Sequence, residues 1–175
     1  RLRRMVSQLL VASRVEAGAI HPQTDVFAAE PVVERTWTAL RADRPFSLSV
    51  DGEPHLIVAD EDRLEQVLWA VLDNAVKYSP PGSPVSVSIE SGDGQQLVVV
   101  ADAGSGMDSE ALSHAFDQFY RAPGARAMAP NGSGIGLYAA KGLMQAMRGD
   151  IEVTSTLGSG TRVKLTLPAE RIGED

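Results

Sequence analysis

The sequence has 175 residues, of which 43% are hydrophobic and 22% are charged, as in an ordinary folded globular domain. It contains no cysteine, which excludes disulfides, thiol nucleophiles and cysteine-bound zinc or iron–sulfur sites. The formal net charge of −7 excludes a general electrostatic attraction to nucleic acid or to anionic membranes. An anionic ligand must therefore be held locally, by backbone amides, a metal or a few cations.

The N-terminal segment carries neither a membrane span nor a signal peptide. No apolar run approaches the roughly 20 residues that cross a bilayer, and no continuous apolar core follows the basic residues 1–4. Because the chain begins with Arg rather than Met, we interpret it as a piece of a longer protein.

Residues 1–17 are predicted to form one amphipathic helix, since apolar residues recur at helical spacing. Gly18 is a plausible stop, and His21-Pro22 breaks any continuation. So short a helix is marginal alone, so we expect it to pack on a partner helix or on the following domain.

The next segment is predicted to contain a short extended piece at 26–27 and a helix beginning near Pro31. Residues 46–50 alternate in polarity, 51–52 form an Asp-Gly turn signal, and 55–59 are a second short strand. Together these two strands predict a hairpin.

Residues 60–78 give the clearest helix, with a buried apolar stripe and a second, polar stripe that could face a ligand. The polar stripe contains Gln66, Asp73, Asn74 and Lys77. The remaining elements are predicted in the following order: strands at 85–89 and 97–100 joined by a turn at 93–94, a short helix at 110–116, a loop at 121–132, a helix at 136–147, two strands within 151–167, and a frayed tail from Pro168.

Two segments carry residues suited to a nucleotide. Asn74 offers a neutral oxygen ligand of the kind Mg²⁺ accepts, and Lys77 on the same helix face could reach a phosphate; taken alone, this segment is more often a solvent-exposed polar face. Asp102 ends a strand before Gly104 and Gly106. A buried carboxylate there can accept the exocyclic amine of adenine, and the glycines allow close backbone approach; the alternative is an ordinary turn.

Two further segments complete the set. Residues 116–121, Phe-Asp-Gln-Phe-Tyr-Arg, combine a hydrophobic anchor with Arg121, which could lean toward a terminal phosphate. Residues 131–137, Asn-Gly-Ser-Gly-Ile-Gly-Leu, open a helix, and alternate glycines permit a tight loop whose amides hold phosphates. This loop is not a Walker loop, because Lys141 is followed by Gly142 rather than by Ser or Thr. It is not a dinucleotide fingerprint either, because its glycines are spaced G-x-G-x-G and no βαβ unit surrounds it.

In this order and spacing, the four segments resemble the nucleotide-binding boxes of the catalytic, ATP-binding domain of sensor histidine kinases, within the family shared with gyrase, Hsp90 and MutL. The resemblance covers about residues 26–168, and the Phe-x-x-Phe-Tyr-Arg segment favours the kinases. It implies an α/β (α+β) two-layer sandwich of the Bergerat type, a mixed sheet of about five strands covered on one face by three helices. Residues 1–18 resemble the end of the second dimerisation helix, 19–25 would be a linker, and 169–175 a tail.

The resemblance also implies roles for individual residues. Asn74 would bind Mg²⁺, Lys77 would approach phosphate, and Arg121 would assist near the γ-phosphate, these three forming the catalytic set. Asp102 would read adenine. The other implied nucleotide contacts are Tyr78, Gly104, Gly106, Gly132, Ser133, Gly134, Ile135, Gly136 and Leu137.

The implied activity is transfer of the ATP γ-phosphate to a histidine on a dimerisation domain, with relay to a response regulator receiver domain. The full-length protein would be a homodimer, would not bind nucleic acid, and would place this domain in the cytoplasm beneath a membrane-bound sensor. None of His21, His55 and His114 has the acceptor's setting, so the fragment alone is not expected to autophosphorylate.

Two departures from the family pattern keep a second hypothesis open. Ala70 and Ala103 stand where the family often has Asn, and each removes a polar partner near Mg²⁺ and phosphate. The chain could thus be a degenerate kinase acting as a nucleotide-binding regulatory module. A third hypothesis is an ATPase of the gyrase or Hsp90 type. Such an ATPase requires a catalytic Glu to activate water, in the helix turn that here carries Ala70, so this hypothesis ranks last.

Overall fold

The computed structural model describes residues 2–51, 56–92 and 94–170, with the backbone alone for residues 2–5. Its helices and strands are α1 (Leu2–Glu16), β1 (Asp25–Ala28), α2 (Ala29–Leu40), β2 (Phe46–Val50), β3 (Leu56–Ala59), α3 (Glu61–Lys77), β4 (Val85–Gly92), β5 (Gln95–Asp102), α4 (Ser109–Ser113), α5 (Pro123–Met128), α6 (Gly136–Ala146), β6 (Asp150–Thr156) and β7 (Gly160–Glu170). Among the described residues, no helix combines the length and hydropathy that crossing a bilayer demands.

The strands form one mixed sheet in the order β1-β3-β7-β5-β4-β2, with β6 also paired to β7. Strands β2 and β4 run parallel, and β5 pairs antiparallel with both β4 and β7. Inward apolar residues of this sheet pack against helices α2, α3 and α6 in a single core. The predicted α+β sandwich with three covering helices is confirmed, and its sheet has seven strands in place of about five.

Helix α3 begins at Asp60, which is itself buried. One carboxylate oxygen of Asp60 accepts the backbone N–H of Arg63 at 3.0 Å, which caps the helix. The other accepts the backbone N–H of Gln23 at 2.7 Å. A single side chain therefore fixes both the start of α3 and the end of the segment that follows α1.

The predicted hairpin between residues 46–50 and 55–59 is wrong. Strand β2 pairs with β4 at the edge of the sheet, whereas β3 lies between β1 and β7. Ile57 and Ala59 are 0% and 1% exposed, so β3 needs an interior position that an edge hairpin cannot provide. Strand β3 begins at Leu56, and His55, Gly52 and the turn residue Asp93 lie outside the described residues.

Two other predictions need correction. Strand β7 does not fray at Pro168, because Ala169 and Glu170 continue it and pair with Ile57 and Leu56 of β3. Strand β6 pairs with β7 only as far as Thr166, and β3 pairs with β7 beyond that point. The predicted loop 121–132 contains the helix α5, whose Pro123 stands in its first turn, where the missing N–H of proline costs nothing.

Helix α1 packs on α6, as predicted for so short an amphipathic helix. Val11 and Ala12 are buried at 8% and 1% exposure. Val15 lies directly over Gly142 of α6, where an added Cβ would stand 3.0 Å from the Cβ of Val15 and closer still to both γ-carbons. Only glycine at this position lets the two helices approach so closely.

Candidate nucleotide-binding site

A cavity of about 460 Å³ opens between the polar face of α3, the end of β5 and the loops before α6. This volume suits a nucleotide-sized ligand. The predicted site residues that line the cavity are Asn74, Lys77, Tyr78, Asp102, Gly106, Arg121, Gly132, Ser133, Gly134, Gly136 and Leu137. Gly104 and Ile135 are not among its lining residues. The backbone N–H of Gly104 donates to Asp102, and Ile135 is buried within the glycine loop.

Asp102, the last residue of β5, lines the cavity. In the part of the chain that the structure describes, its hydrogen bonds all go to Oδ1, from the backbone N–H groups of Gly104 at 2.8 Å and Thr161 at 3.2 Å and from the Ser79 hydroxyl at 3.5 Å. The second oxygen, Oδ2, is left to accept a hydrogen bond from a ligand. Burial raises the pKa of Asp102, and the hydrogen bonds only partly offset this effect.

The glycines beside Asp102 act by the absence of a side chain. A Cβ on Gly104 would lie 2.5 Å from the carbonyl oxygen of Tyr78 and 2.7 Å from Oδ1 of Asp102. Gly106 has a φ of +64°, and a Cβ there would collide with the carbonyl of Thr156. Both glycines therefore permit the backbone packing that fixes the Asp102 carboxylate.

The polar face of α3 forms another part of the cavity wall. Asn74 is half-buried and is one of the lining residues. Lys77 also lines it but pairs with Asp73 one turn earlier, at an exposed position where such a pair contributes little. A phosphate could compete for Lys77 at small cost.

The side chain of Arg121 hydrogen-bonds to the backbone of the loop that covers the cavity. Its guanidinium donates to the carbonyl oxygens of Pro130 at 3.2 Å, Ala125 at 3.3 Å and Ala129. Its Nε is buried and has no partner among the described residues. In this structure Arg121 holds the end of α5, and its predicted contact with a γ-phosphate stays a prediction.

The glycine loop leads directly into α6. Gly134 has a φ of +69°, its carbonyl accepts the N–H of Phe119 at 2.9 Å, and a Cβ on it would lie 2.8 Å from the carbonyl carbon of Phe119. Ile135, 1% exposed, anchors the loop in the core. The loop thus presents the first N–H groups of α6 to the cavity, where they favour an anion.

Sequence reasoning missed several residues of this site, among them three that make polar contacts with predicted site residues. Ser79 and Thr161 both bond Asp102, and the pairing of β5 with β7, which places Thr161 opposite Asp102, could have revealed the second. Gln8 of α1 also lines the cavity. No local pattern marks Gln8, because only the packing of α1 brings it there.

Residues 59–171, more than half of the chain, match the family described as "Histidine kinase-, DNA gyrase B-, and HSP90-like ATPase". The chain therefore belongs to this family. Sensor protein SrrB of Staphylococcus aureus is 28% identical over 172 residues, which cover 96% of this chain and 30% of SrrB. The chain thus spans less than a third of that relative.

Solved structures agree with this assignment. The mycobacterial sensor histidine kinase MprB aligns with a TM-score of 0.73 and 27% identity, over 85% of this chain and 99% of the MprB chain. ShkA, solved in complex with AMPPNP, aligns with a TM-score of 0.83 and 26% identity, over 98% of this chain and 36% of ShkA. The chain is a histidine-kinase-type ATP-binding domain.

The loop that covers the cavity is expected to respond to nucleotide. None of the residues of α5 is buried, and its anchor is the set of Arg121 hydrogen bonds. Phosphates that engage the loop amides would order it. Amide hydrogen exchange over residues 121–132 should therefore slow when ATP is added, by about tenfold or more. Equal exchange with and without ATP would show that this segment is not a lid.

Proposed function

We propose that the chain is the catalytic part of a two-component sensor histidine kinase, which binds Mg-ATP and transfers its γ-phosphoryl group to a histidine on a dimerisation domain. The carrying observation is that a single cavity is lined both by Asp102, whose Oδ2 accepts no hydrogen bond from the described residues, and by the glycine loop and the first residues of α6. A base acceptor and a phosphate cradle on the wall of the same cavity suit ATP. The AMPPNP bound by ShkA supports the same ligand class.

Magnesium fits the residues present. The described residues contain no group of three or more His, Asp or Glu side chains able to hold a metal. Mg²⁺ needs no such cage when phosphates supply oxygens and it keeps several waters. Asn74 would give the protein ligand from the cavity wall. When bound, Mg²⁺ neutralises charge on the phosphates.

The proposed reaction requires little covalent chemistry from the protein. In the proposed reaction the bond from the γ-phosphorus to the β–γ bridging oxygen breaks, a bond to a histidine nitrogen forms, and ADP leaves. Catalysis then depends on positioning and charge stabilisation. Asp102 holds the base, the loop 132–137 and Lys77 hold the phosphates, and the α5 segment limits access of water.

The partners follow from the same proposal. Helix α1, with residues 1–18, would be the end of the second dimerisation helix, residues 19–24 a linker, and residues 25–170, from the start of β1 to the end of β7, the catalytic domain. The full-length protein would be a homodimer that carries the acceptor domain and passes the phosphoryl group to a response regulator receiver domain. This catalytic domain would lie in the cytoplasm, below a membrane-bound sensor.

The two alternative functions are less well supported. Glu61 and Glu65, the candidate acids on α3 for a gyrase-type ATPase, both bond Arg35 of α2, at 2.8 Å and 3.2 Å, and neither lines the cavity. A degenerate kinase remains the runner-up because Ala70 lines the cavity without any polar group.

Labelled ATP distinguishes the kinase from the degenerate module. The chain alone should bind Mg-ATP but acquire no phosphohistidine, because none of His21, His55 and His114 has the sequence setting of the acceptor and neither His21 nor His114 lines the cavity. A separately added dimerisation domain with an acceptor histidine should become labelled slowly, since tethering normally supplies the effective concentration. The label must be acid-labile and base-stable. ATP binding with no label on the added domain would favour the degenerate module.

A further inference from the structure

Gln8 of α1 reaches the nucleotide cavity from outside the sandwich. Its side-chain Oε1 accepts a hydrogen bond from the Ser133 hydroxyl at 3.3 Å. Ser133 belongs to the glycine loop, and its hydroxyl also accepts the N–H of Ile135 at 3.3 Å. The helix that precedes the domain is thus bonded to the loop that would cradle phosphates.

The other end of the Gln8 amide faces the start of α6. A Cβ built on Gly136 lies 3.7 Å from Nε2 of Gln8 and 3.7 Å from the Cβ of Ala70. The short side chain of Ala70, one turn before Asn74 on α3, leaves this space open. In the part of the chain whose side chains are described, Nε2 has no hydrogen-bond partner, so a donor N–H group is left beside Gly136, the first residue of α6.

We propose that Gln8 is a phosphate-binding residue of the nucleotide site, and that ATP affinity therefore depends on α1 being docked on α6. This inference rests on the proposed binding of ATP. The Gln8 amide would donate from Nε2 to a phosphate oxygen while Oε1 keeps Ser133. A donor beside the positive end of α6 assists an anion and does not compete with it.

Thermodynamic linkage makes the dependence reciprocal. If docking of α1 strengthens ATP binding, ATP must strengthen docking of α1 by the same factor. The buried contacts of α1, made by Val11, Ala12 and Val15, set its position, so they act on nucleotide affinity from outside the cavity. Movement of α1 would thus change the phosphate site.

Calorimetry on the full chain tests the direct contact. Gln8→Ala should weaken Mg-ATP by about tenfold, the loss expected for one hydrogen bond to a charged group. It should leave adenosine, which has no phosphate, unchanged. Gln145→Ala, the same change at an exposed site on α6, should leave both affinities unchanged. Gln8→Ala combined with Ala70→Asn, which restores an amide facing Gly136, should recover most of the ATP affinity.

Docking is tested separately. In the parent chain, ATP should slow amide exchange in α1, and in Gln8→Ala it should not. Gly142→Ala should push Val15 away, raise exchange in α1 and weaken ATP without touching the cavity. Adding Val15→Ala makes room for the new methyl group and should reverse both effects.

The outcomes separate the two proposals. Absence of ATP binding by the parent chain would overturn the proposed function itself. Normal ATP binding by both the parent and Gln8→Ala would overturn only the role of Gln8, as would an equal loss of ATP and adenosine. ATP binding that leaves α1 exchange unchanged in the parent, or that is unaffected when Gly142→Ala raises this exchange, would overturn the dependence on docking.

Discussion

Replacing Asn74 with alanine should abolish Mg-dependent ATP binding, with a loss of about 100-fold or more. Asn74 is the amide residue of α3 that lines the cavity, and a methyl group cannot supply the oxygen that Mg²⁺ would take from it. Alanine is the best helix former, so α3 should persist. Calorimetry with ATP, with and without Mg²⁺, measures the effect.

The matched control is Gln66→Ala. Gln66 is an amide on the same helix whose oxygen accepts from Arg63 at 3.3 Å, and it does not line the nucleotide cavity. The Gln66→Ala substitution should leave ATP binding unchanged. If Asn74→Ala binds Mg-ATP as the parent does, Asn74 is not the metal ligand.

Asp102→Asn should weaken ATP by about tenfold and bring the affinities for ATP and GTP close together. The free Oδ2 of Asp102 can accept from the amine of adenine, whereas guanine presents a carbonyl oxygen there, which a carboxylate repels. An asparagine amide presents a donor as well, so it disfavours adenine and tolerates guanine. A mispaired buried polar group costs about 1–3 kcal/mol.

Thermal melts across pH provide the control for this variant. Because the pKa of Asp102 is raised by burial, its contribution to stability is present below the unfolded pKa and is lost as pH rises through the folded pKa. The asparagine side chain of the variant does not titrate, so the stability difference between parent and variant should shift in favour of the variant as pH rises. Unchanged ATP and GTP affinities in a folded variant would mean that Asp102 does not read the base.

Much of the fold could be predicted because its signals are local. The stripe on α3 and the alternation in β4 each report one buried face, and those elements were found. Strand pairing is not local: β2 and β3 look like hairpin partners, yet burial of Ile57 places β3 between β1 and β7. The continuation of β7 to Glu170 likewise depends on β3, which lies about a hundred residues earlier in the sequence.

The site divides in the same way. Asn74, Asp102 and the glycine loop could be recognised because each requires a special residue at a fixed spacing. Thr161 and Gln8 reach the site through strand pairing and helix docking, which no motif encodes. Arg121 lines the cavity, but its predicted contact with a terminal phosphate stays a prediction, and its bonds to carbonyls in and just after α5 depend on a helix that the Ala, Pro and Gly content concealed.

The bond from Gln23 to Asp60 limits how far α1 can travel. With Gln23 fixed at the start of α3, only the stretch from Gly18 to Gln23 remains as a flexible tether, and fully extended it spans at most about 17 Å. An undocked α1 would therefore stay within a small volume around its attachment point on the domain. The local concentration of any segment joined to α1 would depend on the position of that attachment point as much as on the length of the chain.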